Sequence, residues 1–487
     1  MIFNRKRKNK KEFPDKHKDM LDKMKEWSAW YSSDPEQILN YYVKQHETHS
    51  PKGKFWAKLE REERTEKIHV PIPADISSVS ADLLFSKPPK VKIEEAHREN
   101  STSEAKNTQE RLNEIINKNE IYSTLVELAE STSALGGSYL KINWDREFKD
   151  FPLLSVAQAD SAIPTFQHGF LKEVTFYKTV KKEKNSVYRL LEIHRAGKII
   201  NKLYKGTKND IGQQISLDKL GKTRDIQLEI SRDFSKPLVK YFRNKLPNRL
   251  HRDSPLGLSD YAGLEGLFDA LDEAYSSWIK ELRLSKPEKV VPQAWLERDS
   301  EGQFYYDIDR STYTGFNLPA DEMEKPELIQ PDIRQSEYAD TCQNLIERII
   351  TSAGLSPQDF GISIEGRAQS GTALRIRQQQ SIKTKAKKQR YFREPLQEIF
   401  QLMLQVDYEV FNNTQINPNL KPKVTFAEHS DYDKTEIADS LYKLEQARAT
   451  SIETRVKATN PDWSEEEVAQ EVERIKQEYD ISADSLD

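Results

Sequence analysis

The sequence has little of three things: cysteine, long apolar runs and net charge. Cys342 is the only cysteine in 487 residues, so an intrachain disulfide is impossible and a reducing compartment is expected. No apolar run approaches roughly 18 residues, so we expect no membrane-spanning helix. The start MIFNRKRKNKKEF has no apolar stretch behind it, so we expect no signal peptide. A net charge of -4 excludes a uniformly basic nucleic-acid binder, and any contact with nucleic acid must be local.

Signatures of catalysis are also missing. GKT at 221–223 resembles the end of a phosphate-binding loop, but Ser216 stands where the first glycine belongs and a strand-like stretch follows. HETH at 46–49 is one residue short of the spacing of a zinc-binding helix. DYDKT at 431–435 lacks the glycine and the distant glutamate of a calcium loop. We therefore expect no catalytic residue, no metal site, no cofactor and no ATPase activity in this chain.

The residues that are present favour a polar but folded chain. Charged residues make up 32% and hydrophobic residues 36%, yet 19 Phe, 20 Tyr and 7 Trp argue against wholesale disorder. The length allows about two to four domains. We expect part of the apolar surface to be covered by other subunits or partners. The basic cluster at 5–11 is either a solvated terminus or an arm that touches phosphate or a partner.

Periodicity predicts helices before a central β region. Residues 16–46 have helical spacing, with Asp34 as the N-cap and Pro35 at the first position of a second helix. Residues 104–135 predict one helix, closed by the glycine pair that follows it. Alternating Val, Ile, Tyr and Phe predict antiparallel strands over about 138–250.

The second half predicts two long helices around a small insertion. Apolar residues recur every three or four positions from Gly257 for about 25 residues, and again over 335–353. Between them, KVVPQAWLE and QFYYDID predict two short strands. A polar loop leads into a third long helix, in which Pro395 predicts a kink or a restart. The tail, 430–487, is helical and acidic.

Five segments resemble, in the same order, the portal proteins of tailed bacteriophages, of the type found in phages of Gram-positive bacteria. They are IPADISSVSADLLFSKPPKVKI, ALGGSYLKINWD, LEIHRAGKIINKLY, GLSDYAGLEGLFDALDEAYSSWIKELRLSKPEKVVP and SGTALRIRQQQ. The resemblance covers about 70–410. It implies an α+β fold with the portal architecture: long stem helices with an inserted small β clip, an α/β wing that contains an antiparallel β domain, and a helical C-terminal crown.

The resemblance also implies a domain order. The regions are a basic arm and helix (1–50), the wing (51–257, with the β domain at about 138–250), the first stem helix (258–285), the clip (286–334), the second stem helix (335–353), the tunnel loop (354–370), a long kinked wing helix with a following strand (371–429) and the acidic crown (430–487). Identical copies, twelve in the family, are expected to form a ring around a channel.

The function implied by the resemblance is that of a portal at one capsid vertex of the virion, assembled in the host cytoplasm. Double-stranded DNA passes through the ring non-specifically during packaging and exit. The expected partners are the terminase large subunit, a connector or adaptor protein, the major capsid protein and the scaffolding protein, with no membrane. A protein of another kind supplies the ATP hydrolysis.

Candidate site residues follow by position. The tunnel loop and DNA channel are assigned to Ser356, Gln358, Asp359, Ile362, Ile364, Glu365 and Arg367. The stem lining is assigned to Glu265, Asp269, Asp272 and Glu273, whose alternative is a plain solvated helix face. The clip residues that dock the motor or connector are Trp295, Glu297, Phe304, Tyr305 and Tyr306. A basic helix, with Arg375, Arg377, Lys383, Lys387 and Arg390, contacts either DNA or acids of a neighbouring subunit, and we favour the neighbour.

Two other functions remain open at this point. The first is a different structural or minor head protein of the virion without a channel. The second is a metal-dependent nuclease that uses scattered Asp and Glu residues. Ring-shaped particles separate the portal from the first, and metal-dependent DNA cleavage by the isolated protein would support the second.

Overall fold

The structure, a computed structural model, falls into two units, Met1–Phe426 and Ala427–Asp487. It describes residues 17–48, 54–57, 67–98, 101–207, 210–285, 288–292, 297–298, 304–305, 312–316, 327–329, 333–362, 371–427, 434–460, 463 and 465–484. Helices and antiparallel sheets are both present, as the predicted α+β class requires.

The first two helices meet at the predicted cap. Helix α1 spans Lys18–Tyr31 and α2 spans Pro35–Thr48. The Asp34 carboxylate accepts hydrogen bonds from the Glu36 backbone N–H at 2.9 Å and from the Gln37 side-chain amide at 3.0 Å. The N-cap at Asp34 is therefore confirmed, because its carboxylate satisfies a backbone donor that the helix leaves free.

The next helices depart from the sequence-based expectation at one point. After α3 (Ile72–Phe85), the single helix predicted over 104–135 is two helices, α4 (Ser103–Lys118) and α5 (Ile121–Leu135). Glu120, between them, has φ 49°, a left-handed conformation that a helix cannot continue through. Gly136 ends α5 with φ +82°, and a Cβ there would lie 2.7 Å from the carbonyl oxygen of Gly257, so only glycine fits.

The predicted antiparallel strands of the β region form two sheets. A three-stranded sheet has the order β10-β2-β3, and a larger sheet has the order β4-β5-β6-β7-β8 with β9 paired to β7. Their strands are β2 (Gly137–Asn143), β3 (Leu153–Gln158), β4 (Ala162–Gln167), β5 (Phe170–Glu183), β6 (Ser186–Arg195), β7 (Lys198–Thr207), β8 (Asp210–Ile215), β9 (Glu229–Ser231) and β10 (Val239–Arg243). Strand β1 (Lys90–Lys92) pairs separately with β16 (Lys423–Thr425).

Helix α6 spans Glu265–Leu284 and starts later than its apolar periodicity predicts. Residues 257–264 are instead non-helical and mostly buried, and the Ser259 hydroxyl donates to the carbonyl of Ala134 at 2.6 Å. Helix α7 spans Gln335–Ala353 and ends at Gly354, which is left-handed with φ +89°, as predicted.

The segment between α6 and α7 has more strands than the two predicted. They are β11 (Glu288–Pro292), β12 (Glu297–Arg298), β13 (Phe304–Tyr305), β14 (Thr312–Phe316) and β15 (Glu327–Ile329). Strand β11 pairs with β14 in parallel and with β15 in antiparallel orientation, and β12 pairs with β13. A sheet of this order brings the two ends of the insertion together, so α6 and α7 can leave it side by side.

Helix α8 spans Gly371–Phe411 and contains Pro395 without interruption, so of the predicted kink or restart the restart is excluded. Its C-terminal half contributes Leu396, Ile399 and Met403 to a core shared with α4, α5, β2 and β10. A second core joins α1, α2, α3, α6 and α7 around Trp27, Trp30 and Trp56. The second unit contains α9 (Lys434–Gln446), α10 (Ile452–Thr459) and α11 (Glu465–Asp484).

Candidate functional site

Helices α6 and α7 form an antiparallel hairpin. Near the end that leads to the insertion, the Trp278 and Tyr338 rings stack with centroids 6.3 Å apart, and the Arg334 guanidinium lies 2.7 Å from the Glu281 carboxylate. The hydrogen bonds from Arg334 lower the pKa of Glu281 to about 2. Leu284 and Ile333, at the same end, are 67% and 41% exposed. A two-helix rod with aromatic packing inside and aliphatic side chains outside has apolar surface that the described part of the chain does not cover.

The carboxylates predicted to line a channel are mostly buried. Glu265, Asp269 and Asp272 are 8%, 7% and 1% exposed, whereas Glu273 is half-buried. The N-terminal segment covers the first three, and Glu265 accepts a hydrogen bond from the Trp27 indole at 2.9 Å. The expectation that these three line a solvated surface is therefore wrong.

Asp269 and Asp272 bind residues from two stretches of the N-terminal segment. The backbone N–H groups of Phe55 and Trp56 donate to Asp269 at 2.9 and 3.2 Å. Burial raises the pKa of Asp269, although the hydrogen bonds from these two backbone donors act to lower it. Asp272 accepts from the Trp56 indole at 2.9 Å, from the His69 ring at 2.7 Å and from a backbone N–H at 2.9 Å. The carboxylates of α6 thus fix the N-terminal segment to the hairpin.

The first part of the predicted tunnel loop is a short 3-10 turn, Pro357–Phe360, bound to α8. The Ser381 hydroxyl accepts from the Ser356 backbone N–H at 2.8 Å and bonds to the Asp359 carboxylate. The Thr384 hydroxyl donates to the Gly354 carbonyl at 2.6 Å. Ser356 is 1% exposed, so its assignment to a channel surface is wrong.

The other tunnel-loop residues divide into two groups. Three of them are half-buried: Gln358, Asp359 and Ile362. The Gln358 side chain accepts a hydrogen bond from the Ser356 hydroxyl. Ile362 packs against the core that contains α6 and α7. Ile364, Glu365 and Arg367 lie outside the described residues.

The basic helix predicted from sequence is the N-terminal part of α8, and its lysines separate into two sets. Lys383, Lys387 and Arg390 are exposed. Lys385 and Lys388 are buried, and the Lys388 ammonium lies 2.5 Å from the Ser80 hydroxyl and forms an ion pair with Asp260. Arg375 and Arg377 lie on the same helix, in a stretch whose side chains are not described. One set is available to a partner and the other is used inside the fold.

Residues 10–483 match the family model described as "Phage portal protein, SPP1 Gp6-like". The chain belongs to this family. The resemblance to phage portal proteins stated from the sequence is therefore confirmed, and so is the portal fold class. No curated protein matches the sequence.

Several solved structures are similar to this portal family member at low identity. A chain from "Neck of empty GTA particle computed with C6 symmetry" is 11% identical, with a TM-score of 0.41, and the match covers 80% of this chain and 90% of that one. A chain from "Neck of native GTA particle computed with C12 symmetry" has the same values. A chain from "Virion of native gene transfer agent (GTA) particle" is 12% identical, with a TM-score of 0.38, and the match covers 80% of this chain and 89% of that one.

The portal clip residues predicted to dock a motor are only partly described. Glu297 lies in β12, paired with Tyr305 of β13, and Phe304 lies next to Tyr305. Trp295 and Tyr306 lie outside the described residues. Their shared role therefore stays a prediction.

Nothing in the described residues of this portal protein forms a group of three or more His, Cys, Asp or Glu side chains placed to hold a metal ion. None of the described helices combines the length and the apolarity that crossing a bilayer requires. Cys342, on α7, is 4% exposed, and burial raises the pKa of its thiol. The thiol therefore packs as a small apolar group.

Nothing in the sequence indicated one buried ion-pair cluster, which consists of Asp260, Lys245 and Lys388. Lys245 lies 2.8 Å from one oxygen of Asp260, and Ser133 donates to the other at 2.6 Å. Because Lys388 comes from α8 and Ser133 from α5, this cluster ties α8 to α5. Lys388 is one of eight Lys and Arg residues spread over 372–393, and nothing in that stretch distinguishes it from its exposed neighbours.

Proposed function

We propose that this protein is the subunit of a homo-oligomeric ring, with twelve copies as in the portal family, that forms the DNA channel at the capsid vertex. The family match over residues 10–483 carries the proposal. Double-stranded DNA passes through this channel during packaging and exit. The protein itself hydrolyses no nucleotide, and it is assembled in the host cytoplasm before it becomes part of the virion.

The α6–α7 hairpin supports a ring of copies. Its exposed aliphatic side chains, among them Leu282, Leu284 and Ile333, have no cover within the described residues. Identical rods placed side by side around an axis would bury them, and a heterologous contact of this kind closes into a ring when the rotation closes. We assign the stem to this hairpin, the tunnel loop to 354–370, the wing to 51–257 and the crown to 430–487.

The channel residues need reassignment within this proposal. Of the four stem carboxylates, only Glu273 remains a lining candidate, because the other three hold the N-terminal segment. Asp359, Ile364, Glu365 and Arg367 remain candidates for the narrow part of the channel, with Gln358 and Ile362 beside them.

The ring itself is tested by imaging the purified protein. Negative-stain particles should be discs with a central hole, and native mass spectrometry should give one ring mass with a subunit number near twelve. A monomer, or an open filament, under every assembly condition would contradict the proposal. Metal-dependent DNA cleavage or ATP turnover by the isolated protein would instead support an enzyme.

We propose that the insertion between α6 and α7 docks the terminase large subunit and later the connector. Deletion of 290–330, with a short glycine linker in its place, should leave the ring intact and abolish co-sedimentation of the terminase with it. The strands of the insertion pair only with one another among the described residues, so their removal breaks no other sheet. Undiminished terminase binding by the deleted ring would assign docking elsewhere. The Phe304→Ala ring is the milder companion variant.

A further inference from the structure

Three cations on α8 form an exposed strip. Lys383, Lys387 and Arg390, called the basic strip below, are exposed and have no ion-pair or hydrogen-bond partner among the described residues. They are three and four positions apart, so they lie on one side of the helix. Unpaired cations in such a row present a surface suited to an acidic partner.

The basic strip lies on the side of α8 opposite to the contacts that this part of α8 makes with the described residues of the first unit. On α8, Ser381, Thr384 and Lys388 bind the turn after α7, the Gly354 carbonyl and the Asp260 carboxylate, respectively. At about 100° of rotation per residue, these three lie on one side of the helix and the basic strip lies on the opposite side. The strip therefore faces away from the turn that we assign to the tunnel loop.

Helix α3 presents opposite charge on the far side of the α3–α8 contact. Ser80 of α3 touches Lys388 of α8 at 2.5 Å, so the two helices lie side by side. Asp75 and Asp82, called the acidic pair below, are exposed and are seven positions apart on the side of α3 opposite to Ser80. Across one helix contact, the chain thus has a basic surface facing one way and an acidic surface facing the other.

We propose that the basic strip of one copy docks on the acidic pair of a second copy in the ring. The inference rests on the proposed ring function and names the surfaces that join neighbours. A heterologous interface joins two different surfaces of the same subunit, and in a closed ring every copy uses both. Opposite charge on the two surfaces sets the order of the copies and disfavours a two-fold pairing of like surfaces.

A charge-swap experiment tests this docking. The ring population of full-length protein is measured by mass photometry at physiological salt. The triple variant K383E/K387E/R390E should lower it at least about tenfold, because each interface then places acids against acids. The variant D75K/D82K should lower it similarly, and the variant that carries all five changes should recover to within about threefold of wild type. The matched control K178E/K182E/K222E, at exposed lysines of the β region, should leave it unchanged.

The outcomes that overturn the docking are separate from those that overturn the ring. If the wild type forms rings and the triple variant has the same ring population, the docking is overturned but the ring is not. The same holds if the variant with all five changes does not recover the ring population. If the triple variant still forms rings but binds DNA more weakly and with a shallower salt dependence, the basic strip contacts DNA, and the docking is again overturned. Absence of wild-type rings overturns the proposed function instead. If thermal unfolding shows that the triple variant does not fold, the single variants K387E and D82K and the double variant K387E/D82K replace it. The ring populations of these three variants are then compared in the same way.

Discussion

Replacing Asp260 by alanine should lower the free energy of unfolding by about 3–5 kcal/mol. Asp260 is 3% exposed and lies between two lysines, of which Lys388 is 4% exposed. Removal of the carboxylate leaves the Lys388 ammonium buried, and among the described residues only the Ser80 hydroxyl remains as a hydrogen-bond partner. An uncompensated buried charge costs more than the loss of the contact itself. Urea unfolding followed by circular dichroism measures the effect.

Two controls separate this explanation from a general sensitivity of the site. Lys245→Ala removes the more exposed partner and should cost about 1 kcal/mol or less. The double variant D260N/K388M should recover much of the stability, because neither charge is then buried. A loss of less than about 1 kcal/mol for Asp260→Ala would mean that Lys388 is not held as a buried cation.

The effect of Asp260 should also depend on pH. Burial alone raises the pKa of Asp260, but Lys245 and Lys388 outweigh it and hold the pKa well below its usual range. A lowered folded-state pKa gives stability that is complete above the unfolded-state value of about 3.9 and is lost as the pH falls below it. The difference in the free energy of unfolding between wild type and Asp260→Ala should therefore be constant near neutral pH and become smaller in acid.

Replacing Asp272 by alanine should cost a similar amount, about 3–5 kcal/mol. Its two oxygens accept from the Trp56 indole, the His69 ring and the Val70 backbone, at 2.7–2.9 Å, and all three donors lose their partner together. A buried donor left without an acceptor costs about 1–3 kcal/mol. The midpoint of urea unfolding measures the effect, and Trp56 fluorescence should report exposure of its ring.

Glu273→Ala is the matched control for Asp272, because it removes the same charge from the next position of α6. Glu273 is half-buried, and its removal should change the free energy of unfolding by about 1 kcal/mol or less. If Asp272 instead lined a channel, its removal would leave stability unchanged and alter DNA passage. Equal stabilities of the two variants would contradict the buried role.

The carboxylates predicted to line the stem show where sequence reasoning stops. Glu265, Asp269 and Asp272 recur at four and three residues, the spacing of one helix side, and that spacing is compatible with solvent or with a covered surface. The groups that cover Asp272 come from more than 200 positions earlier in the chain. Helical periodicity depends on residues a few positions apart, so it cannot predict contacts with such distant residues.

Local signals gave the element boundaries where a single residue type decides the geometry. The carboxylate of Asp34 caps α2, and Gly136 and Gly354 end α5 and α7 in a left-handed conformation. The break at Glu120 was missed because a left-handed residue that is neither glycine nor asparagine has no local signature. The sequence left open whether Pro395 kinks or restarts the helix. Tertiary packing of Leu396, Ile399 and Met403 keeps α8 continuous there despite the missing hydrogen bond.

By itself, the sequence determined most of the order of helices and strands, the exclusion of an intrachain disulfide and the membership of the portal family. These depend on residue type and on spacing of a few positions, which the chain carries locally. Only the tertiary structure decided which charges are available to partners: it buried Asp260, Asp272 and Lys388 and left Lys383, Lys387 and Arg390 exposed. The physical reason is that desolvation depends on what packs over a side chain, and that neighbour is set by the fold.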